Sequence, residues 1–235
     1  LAASRYWVGS AGGNTDDIAN WASADPASCT GGGASVPTTT DTAIFDPDCD
    51  NGATVNASFT PQGVSIVSGY TGTITQSSTI TISVGSVGWT QADGTFTGGD
   101  SSFTITDGSL SLSGGTFTPT SGTFSIDRNF TLSGTGTYSG SGKTLTLTGT
   151  GSTDDSIVTC STTLAGSINI TKANNSNDVT ISSNCSVTLT TNVSFLGDLI
   201  NNGTITANGI TLNRSFTQGG TFSNSGVITF NGSGS

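Results

Sequence analysis

The sequence predicts an all-β chain: a parallel β-solenoid of about eight coils over residues 61–235, preceded by an N-terminal capping module over residues 1–60. Three observations carry this. A short motif returns at a fixed period, apolar residues alternate with polar ones in short runs, and the composition suits strands and turns. Thr (44), Ser (36), Gly (34) and Asn (17) make up 131 of 235 residues, and there is no Glu and no Met. Thr is β-branched and fits a pleated surface, Gly, Ser and Asn serve tight turns, and the usual helix formers are scarce.

The motif is Gly-Thr-aromatic/Ile-Thr/Ser. It stands at Gly72-Thr73-Ile74-Thr75, Gly94-Thr95-Phe96-Thr97, Gly115-Thr116-Phe117-Thr118 and Gly136-Thr137-Tyr138-Ser139, with spacings of 22, 21 and 21. It returns at Gly203-Thr204-Ile205-Thr206 and Gly220-Thr221-Phe222-Ser223. A second alternating pair follows each motif by seven to nine residues: Ile80/Ile82, Phe103/Ile105, Phe124/Ile126, Leu145/Leu147, Ile210/Leu212 and Ile228/Phe230. A third is present in several units as Leu110/Leu112, Phe130/Leu132 and Phe216. Two or three short strands in about 21 residues describe one solenoid coil, which buries its apolar face only when stacked on neighbours. Ile74, Phe96, Phe117 and Tyr138 are then expected to stack inside, and a stack of eight coils is a rod about 40 Å long. A β-sandwich also has alternating strands at short intervals, but it gives no reason for one tetrapeptide to recur at 22, 21 and 21.

Four cysteines allow three connectivities. We expect Cys29–Cys49 and Cys160–Cys185, the second pair 25 residues apart and so about one coil apart. Buried free thiols are the alternative. Wide spacing without His or a Cys-x-x-Cys pair excludes zinc, and disulfides favour an extracellular or cell-surface protein. A start at Leu1 rather than Met agrees with a processed, secreted chain.

Residues 1–60 lack the period and hold two of three Trp and seven of fifteen Asp. Tyr6, Trp7, Trp21 and Phe45 are expected to cover the first core slice, with aromatic ligand binding as the alternative. Arg5-Tyr6-Trp7-Val8-Gly9, Asn20-Trp21-Ala22-Ser23, Val36-Pro37 and Asp41-Thr42-Ala43-Ile44-Phe45-Asp46 carry a resemblance. This segment resembles the opening module of bacterial secreted surface proteins and autotransporter-type passenger domains. The resemblance implies a right-handed β-helix on a cell surface and brings no catalytic residues; the Cys29–Cys49 pair departs from the module. At the other end Val227, Ile228 and Phe230 form a core-type strand with no cap after it. The expected partner there is the next copy, in a head-to-tail filament.

A net charge of −10 with five basic residues excludes nucleic acid, and the lack of His excludes imidazole chemistry. No run approaches the roughly 18 apolar residues of a membrane helix. Asp46, Asp48 and Asp50 begin like a calcium loop, although Asn51 and Ala57 stand where Gly and Glu are required, so calcium is the one candidate cofactor. Asp154, Asp155, Asp178 and Asp198 are the carboxylates best suited to acid–base cleavage of a polysaccharide. Nine Asn-x-Ser/Thr sequons, including Asn174 and Asn192, offer glycosylation sites. The Thr-x-Thr series resembles the ice-binding faces of antifreeze solenoids. The reading as a whole is a non-enzymatic, structural extracellular surface protein that assembles with itself, with an adhesin or glycan-binding module as the rival.

Overall fold

Every turn of the chain visits three sheets in the same order, as a computed structural model describes it for residues 3–149, 155–161, 164, 167–170 (backbone alone), 177–189 and 193–231. The first and longest sheet has eleven strands. From its N-terminal edge these are Trp21–Ala22, Ala3–Trp7, Asp41–Phe45, Gly63–Ile66, Gly88–Gln91, Leu110–Leu112, Phe130–Leu132, Ser156–Cys160, Val179–Ile181, Leu199–Asn201 and Phe216–Gln218. The second sheet stacks Gly13–Asn14, Ala53–Val55, Thr73–Gln76, Thr95–Thr97, Thr116–Thr118 and Thr137–Tyr138. It resumes on the same leg of the coil as Ser186–Thr188, Thr204–Ala207 and Thr221–Asn224. The third begins Ile82–Val84, Phe103–Ile105, Phe124–Ile126, Thr144–Leu147 and Ser167–Ile170, then resumes with Val193–Phe195, Ile210–Leu212 and Ile228–Phe230. Gly63–Ile66 to Ile228–Phe230 spans about eight turns of a parallel β-solenoid.

Register follows the period. Ile74 pairs with Phe96, Phe96 with Phe117, and Phe117 with Tyr138. All four are buried. The ring centroids of Phe96 and Phe117 are 4.8 Å apart at 27°, and Trp89 meets Phe96 edge-on at 4.9 Å. Burying one such side chain contributes about 1.5–3 kcal/mol, and each coil supplies several. Several polar side chains that enter the core are hydrogen-bonded, although the Tyr138 hydroxyl and Asn177 Oδ1 are buried without a partner. The buried amide of Gln91 donates to the Gly94 and Thr116 carbonyls, and that of Asn201 donates to Thr221 O and Gln218 Oε1. A polar group buried in this way avoids the cost of an unmade hydrogen bond.

The glycine of the motif is required at Gly115. Its φ is +66°, and an added Cβ would sit 2.2 Å from the Gly94 carbonyl oxygen of the preceding coil. A left-handed corner packed this closely on its neighbour admits no side chain.

Two expectations change in detail. The pair Ile80/Ile82 does not form the inward face of its strand; Ile82 and Val84 do, in register with Phe103 and Ile105. The corner before them carries an extra residue, turned by Thr79 at φ +66°, so Ile80 stays in the corner. The parallel ladders also cross residue 60. Asp41–Phe45 pairs with Gly63–Ile66, Ala53–Val55 with Thr73–Gln76, and Phe59 bridges Ile82. The first sixty residues therefore extend the solenoid as well as covering its end. Among the described residues no helix is long and apolar enough to cross a membrane.

Candidate functional site

At the N-terminal end the aromatic residues close over the first coil. Trp7 and Trp21 are fully buried, with ring centroids 5.3 Å apart, and Phe45 lies 5.8 Å from one and 5.7 Å from the other. Each indole N–H has an acceptor: Trp7 donates to Asn51 O at 3.0 Å and Trp21 to Thr15 O at 2.8 Å. Tyr6 is only half-buried, because alternation along Ala3–Trp7 turns it away from Trp7's side of the sheet. Trp21–Ala22 pairs antiparallel with Tyr6 and Trp7, a reversal that ends the parallel ladder there. Both expected disulfides are present, Cys29–Cys49 with Cα atoms 4.7 Å apart and Cys160–Cys185 with Cα atoms 4.8 Å apart. The first ties the loop after Trp21 to the coil beneath it.

The three aspartates of the calcium-like segment part company. Asp46 and Asp48 meet Asp25, with carboxylate oxygens within 4.8 Å of one another. Asp50 turns to the next coil, where it accepts from the Thr71 and Gly72 N–H groups and the Thr71 hydroxyl. Burial raises the pKa of Asp46, repulsion from Asp25 and Asp48 adds to this, and the N–H groups of Cys49 and Asp48 oppose it. The pKa of Asp50 is lowered, because its hydrogen bonds from Thr71 and Gly72 outweigh its desolvation. Asp25, Asp46 and Asp48 could offer one oxygen each to a hard cation, fewer than the six to eight oxygens that calcium takes.

The aspartates weighed for catalysis form a ladder along one corner of the rod. Asp155 accepts the Asp178 N–H at 2.9 Å, Asp178 accepts the Asp198 N–H at 2.8 Å, and Asp198 accepts the Ser215 N–H at 3.0 Å. Asp154 lies outside the described residues, as do the sequon residues Asn174 and Asn192. A second set of carboxylates caps left-handed corners of the preceding coil. Asp93 accepts from Gly69 N–H, Asp100 from Thr79 N–H and Asp127 from Asp107 N–H. Gly69, Thr79 and Asp107 all have positive φ. With Asp50, seven aspartates among the described residues thus accept backbone N–H groups from a neighbouring coil.

Among the described residues the last coil leaves apolar side chains exposed. Val227 and Phe230 are 72% and 70% exposed, Ile228 is 40% exposed, and Phe216 and Phe222 pack edge-on against each other at 5.3 Å, half-buried.

The long flank formed by the second sheet differs from the other two. Strands such as Leu110–Leu112 and Phe103–Ile105 point two residues inward and one outward, whereas Thr95–Thr97 and Thr116–Thr118 point one inward and two outward. Two outward files result: Thr73, Thr95, Thr116, Thr137 and Thr54, Thr75, Thr97, Thr118. They continue past the middle of the rod as Ser186, Thr204, Thr221 and Thr188, Thr206, Ser223.

No protein-family model, curated protein or solved structure matches the chain. The role of Asp25 and the aspartate ladder were not read from the sequence. Asp25 is 21 residues from Asp46 and reaches it through a disulfide-tied loop, while the ladder uses backbone N–H groups that leave no trace in residue type.

Proposed function

We propose that the chain is a structural protein of an extracellular surface, a rigid rod that pairs with a second copy through the exposed apolar residues Val227, Ile228 and Phe230 of its last described coil. The observation that supports this is the contrast between the two ends. One is closed by an antiparallel strand and a buried Trp–Trp–Phe cluster. The other presents Val227, Ile228 and Phe230 beside strand edges left unpaired among the described residues. No charged residue stands between Arg214 and Asn231, so this end carries none of the lysines or prolines that normally keep strand edges apart. It also brings no like-charge repulsion between copies of a chain whose net charge is −10.

A head-to-tail filament needs two open ends. Strand Trp21–Ala22 occupies the N-terminal edge over Tyr6 and Trp7, so the last described coils of two copies meeting each other is the contact we favour. The structural role is supported by the aspartate side chains, which hold coils together, and the extracellular setting by the two disulfides. Light scattering on size-exclusion fractions of residues 1–235, over a concentration series, tests the reading. Twice the monomer mass is expected, falling to the monomer mass in Phe230→Lys. A monomer at every concentration overturns it.

A further inference from the structure

Independently of the contact between copies, we propose that a groove between two corners of the rod, residues 119–123 and 139–144, binds one acidic sugar residue of an extracellular polysaccharide, with Lys143 meeting its carboxylate. The groove has a volume of about 260 Å³. Ser121, Thr123, Thr144 and Thr146 line it with hydroxyls, half-buried Lys143 brings a positive charge, and the buried ring of Phe124 completes the lining.

The opening has a local cause. The two preceding corners on this edge rest on the coil before them. A Cβ added at Gly99 would lie 2.8 Å from Gln76 O, one at Gly122 would lie 2.7 Å from Asp100 O, and the Ser121 N–H donates to Gly99 O at 2.9 Å. The corner over residues 139–143 does not rest in this way. A Cβ at Gly142 meets nothing within 4 Å, and among the described residues the Ser141 and Gly142 N–H groups make no hydrogen bond to the protein. Gly142, at φ +70°, turns this corner on itself, the Lys143 N–H donating to Gly140 O at 2.8 Å. Counting back two residues from the Phe124–Leu145 pair sets Lys143 against Gly122 of the preceding coil, which has no side chain to fill the space.

The lining selects the class of ligand. The chain has five basic residues and a net charge of −10, yet among the described residues that line the groove one is a lysine and none is a carboxylate. An anion is therefore favoured here. One ammonium balances one carboxylate, and a charge-assisted hydrogen bond is roughly twice as strong as a neutral one. A phosphate dianion would leave charge unmatched. The exposed Ser141 and Gly142 N–H groups are further donors for the same anionic group. Hydroxyls both donate and accept, as the hydroxyls of a sugar require, and Phe124 offers an apolar surface to its C–H groups. The volume lies below the roughly 300–1,000 Å³ of sites for drug-sized ligands, so the occupant is a single ring.

The test titrates ¹⁵N-labelled residues 1–235 with sodium glucuronate, glucose, sodium acetate and sodium sulfate at matched ionic strength, and follows the amide resonances. Glucuronate is expected to give saturable shifts centred on residues 121–123 and 141–146, and to bind about tenfold more tightly than glucose. That comparison needs no variant. Lys143→Gln should lose about tenfold in glucuronate affinity, and Lys143→Arg should keep most of it. Arg214→Gln, which changes the net charge equally elsewhere on the rod, should leave it unchanged. Circular dichroism melts establish that each variant is folded. The absence of saturable glucuronate shifts overturns the proposal, as does an unchanged affinity in folded Lys143→Gln. Acetate or sulfate binding as tightly as glucuronate would make the groove a site for ions alone and overturn it too.

Discussion

The Asp178 carboxylate accepts the backbone N–H of Asp198 at 2.8 Å, a bond between residues 20 apart in sequence and one coil apart in space. Asp178 is itself held from below, its N–H bonded to Asp155. Stacking identical coils leaves each corner with N–H groups that point along the rod, and a short acidic side chain from a neighbouring coil reaches them. Asp suits this position where the longer Glu, absent here, would not be held so closely.

Removing one rung should therefore loosen the stack locally. Asp178→Ala is expected to cost about 1–2 kcal/mol, the range for a charge-assisted hydrogen bond that is partly exposed. Asp178→Asn keeps an acceptor oxygen and should recover about half of that loss. Urea midpoints of the three proteins measure both values, and equal midpoints for the wild type and Asp178→Ala would remove the ladder from the account.

Left-handed corners give a pair of opposite effects. Thr79 is β-branched at φ +66°, so Thr79→Gly is expected to stabilise by up to about 1 kcal/mol while keeping the N–H that Asp100 accepts. Gly115→Ala places a methyl group against the Gly94 carbonyl at a φ of +66° and should cost at least 1–2 kcal/mol, a rough lower bound from the left-handed penalty alone. Thermal melts of the two variants should move in opposite directions.

Acid titrates two groups of opposite sign. Asp50 has a lowered folded-state pKa, through Thr71 and Gly72. Asp41 does as well: its desolvation is outweighed by hydrogen bonds from Thr38 and by Arg5. Their stabilising contribution is present above the unfolded value, about 3.9, and is lost as pH falls through the lower folded values. Asp46, raised by burial, behaves in reverse: its contribution favours folding below the unfolded value and is lost as pH rises through the raised one. Asp46→Asn is thus expected to be more stable than wild type at neutral pH, with the difference shrinking below about pH 4. Asp50→Asn should be less stable at neutral pH and converge with wild type in acid. Unfolding free energies from pH 2 to 7 read both trends.

The disulfides close loops of 20 and 25 residues, and each is expected to contribute about 3 kcal/mol by constraining the unfolded chain. Cys29→Ser/Cys49→Ser should also expose Trp21, because the loop that follows it is tied to the coil at Cys49. A red shift of tryptophan emission before global unfolding, absent in Cys160→Ser/Cys185→Ser, would separate the two bonds.

The period was legible because inward residues must stack: Ile74, Phe96, Phe117 and Tyr138 repeat since each covers the one before. The Cys160–Cys185 pairing followed from the same logic of adjacent coils, its cysteines standing 25 residues apart. Where a corner holds one residue more, as at Thr79, alternation alone set the strand two residues early, because Ile80 and Ile82 alternate as well as Ile82 and Val84 do. Asp154, Asp155, Asp178 and Asp198 suggested acid–base chemistry by residue type, and the described three were then found to bond backbone N–H groups. The meeting of Asp25 with Asp46 and Asp48 depends on a loop with no period at all.

The claim that the last described coil joins two copies is tested most directly by the length of the particle in solution. Ten stacked strands of the longest sheet, from Ala3–Trp7 to Phe216–Gln218, make a rod about 45 Å long. Small-angle X-ray scattering on residues 1–235 is expected to give a maximum dimension of about 90 Å at unchanged cross-section, since two rods of this strand spacing join end to end. Phe230→Lys should return it to the single-rod value. A single-rod length for the wild type at high concentration, or a doubled cross-section in place of a doubled length, would contradict the account.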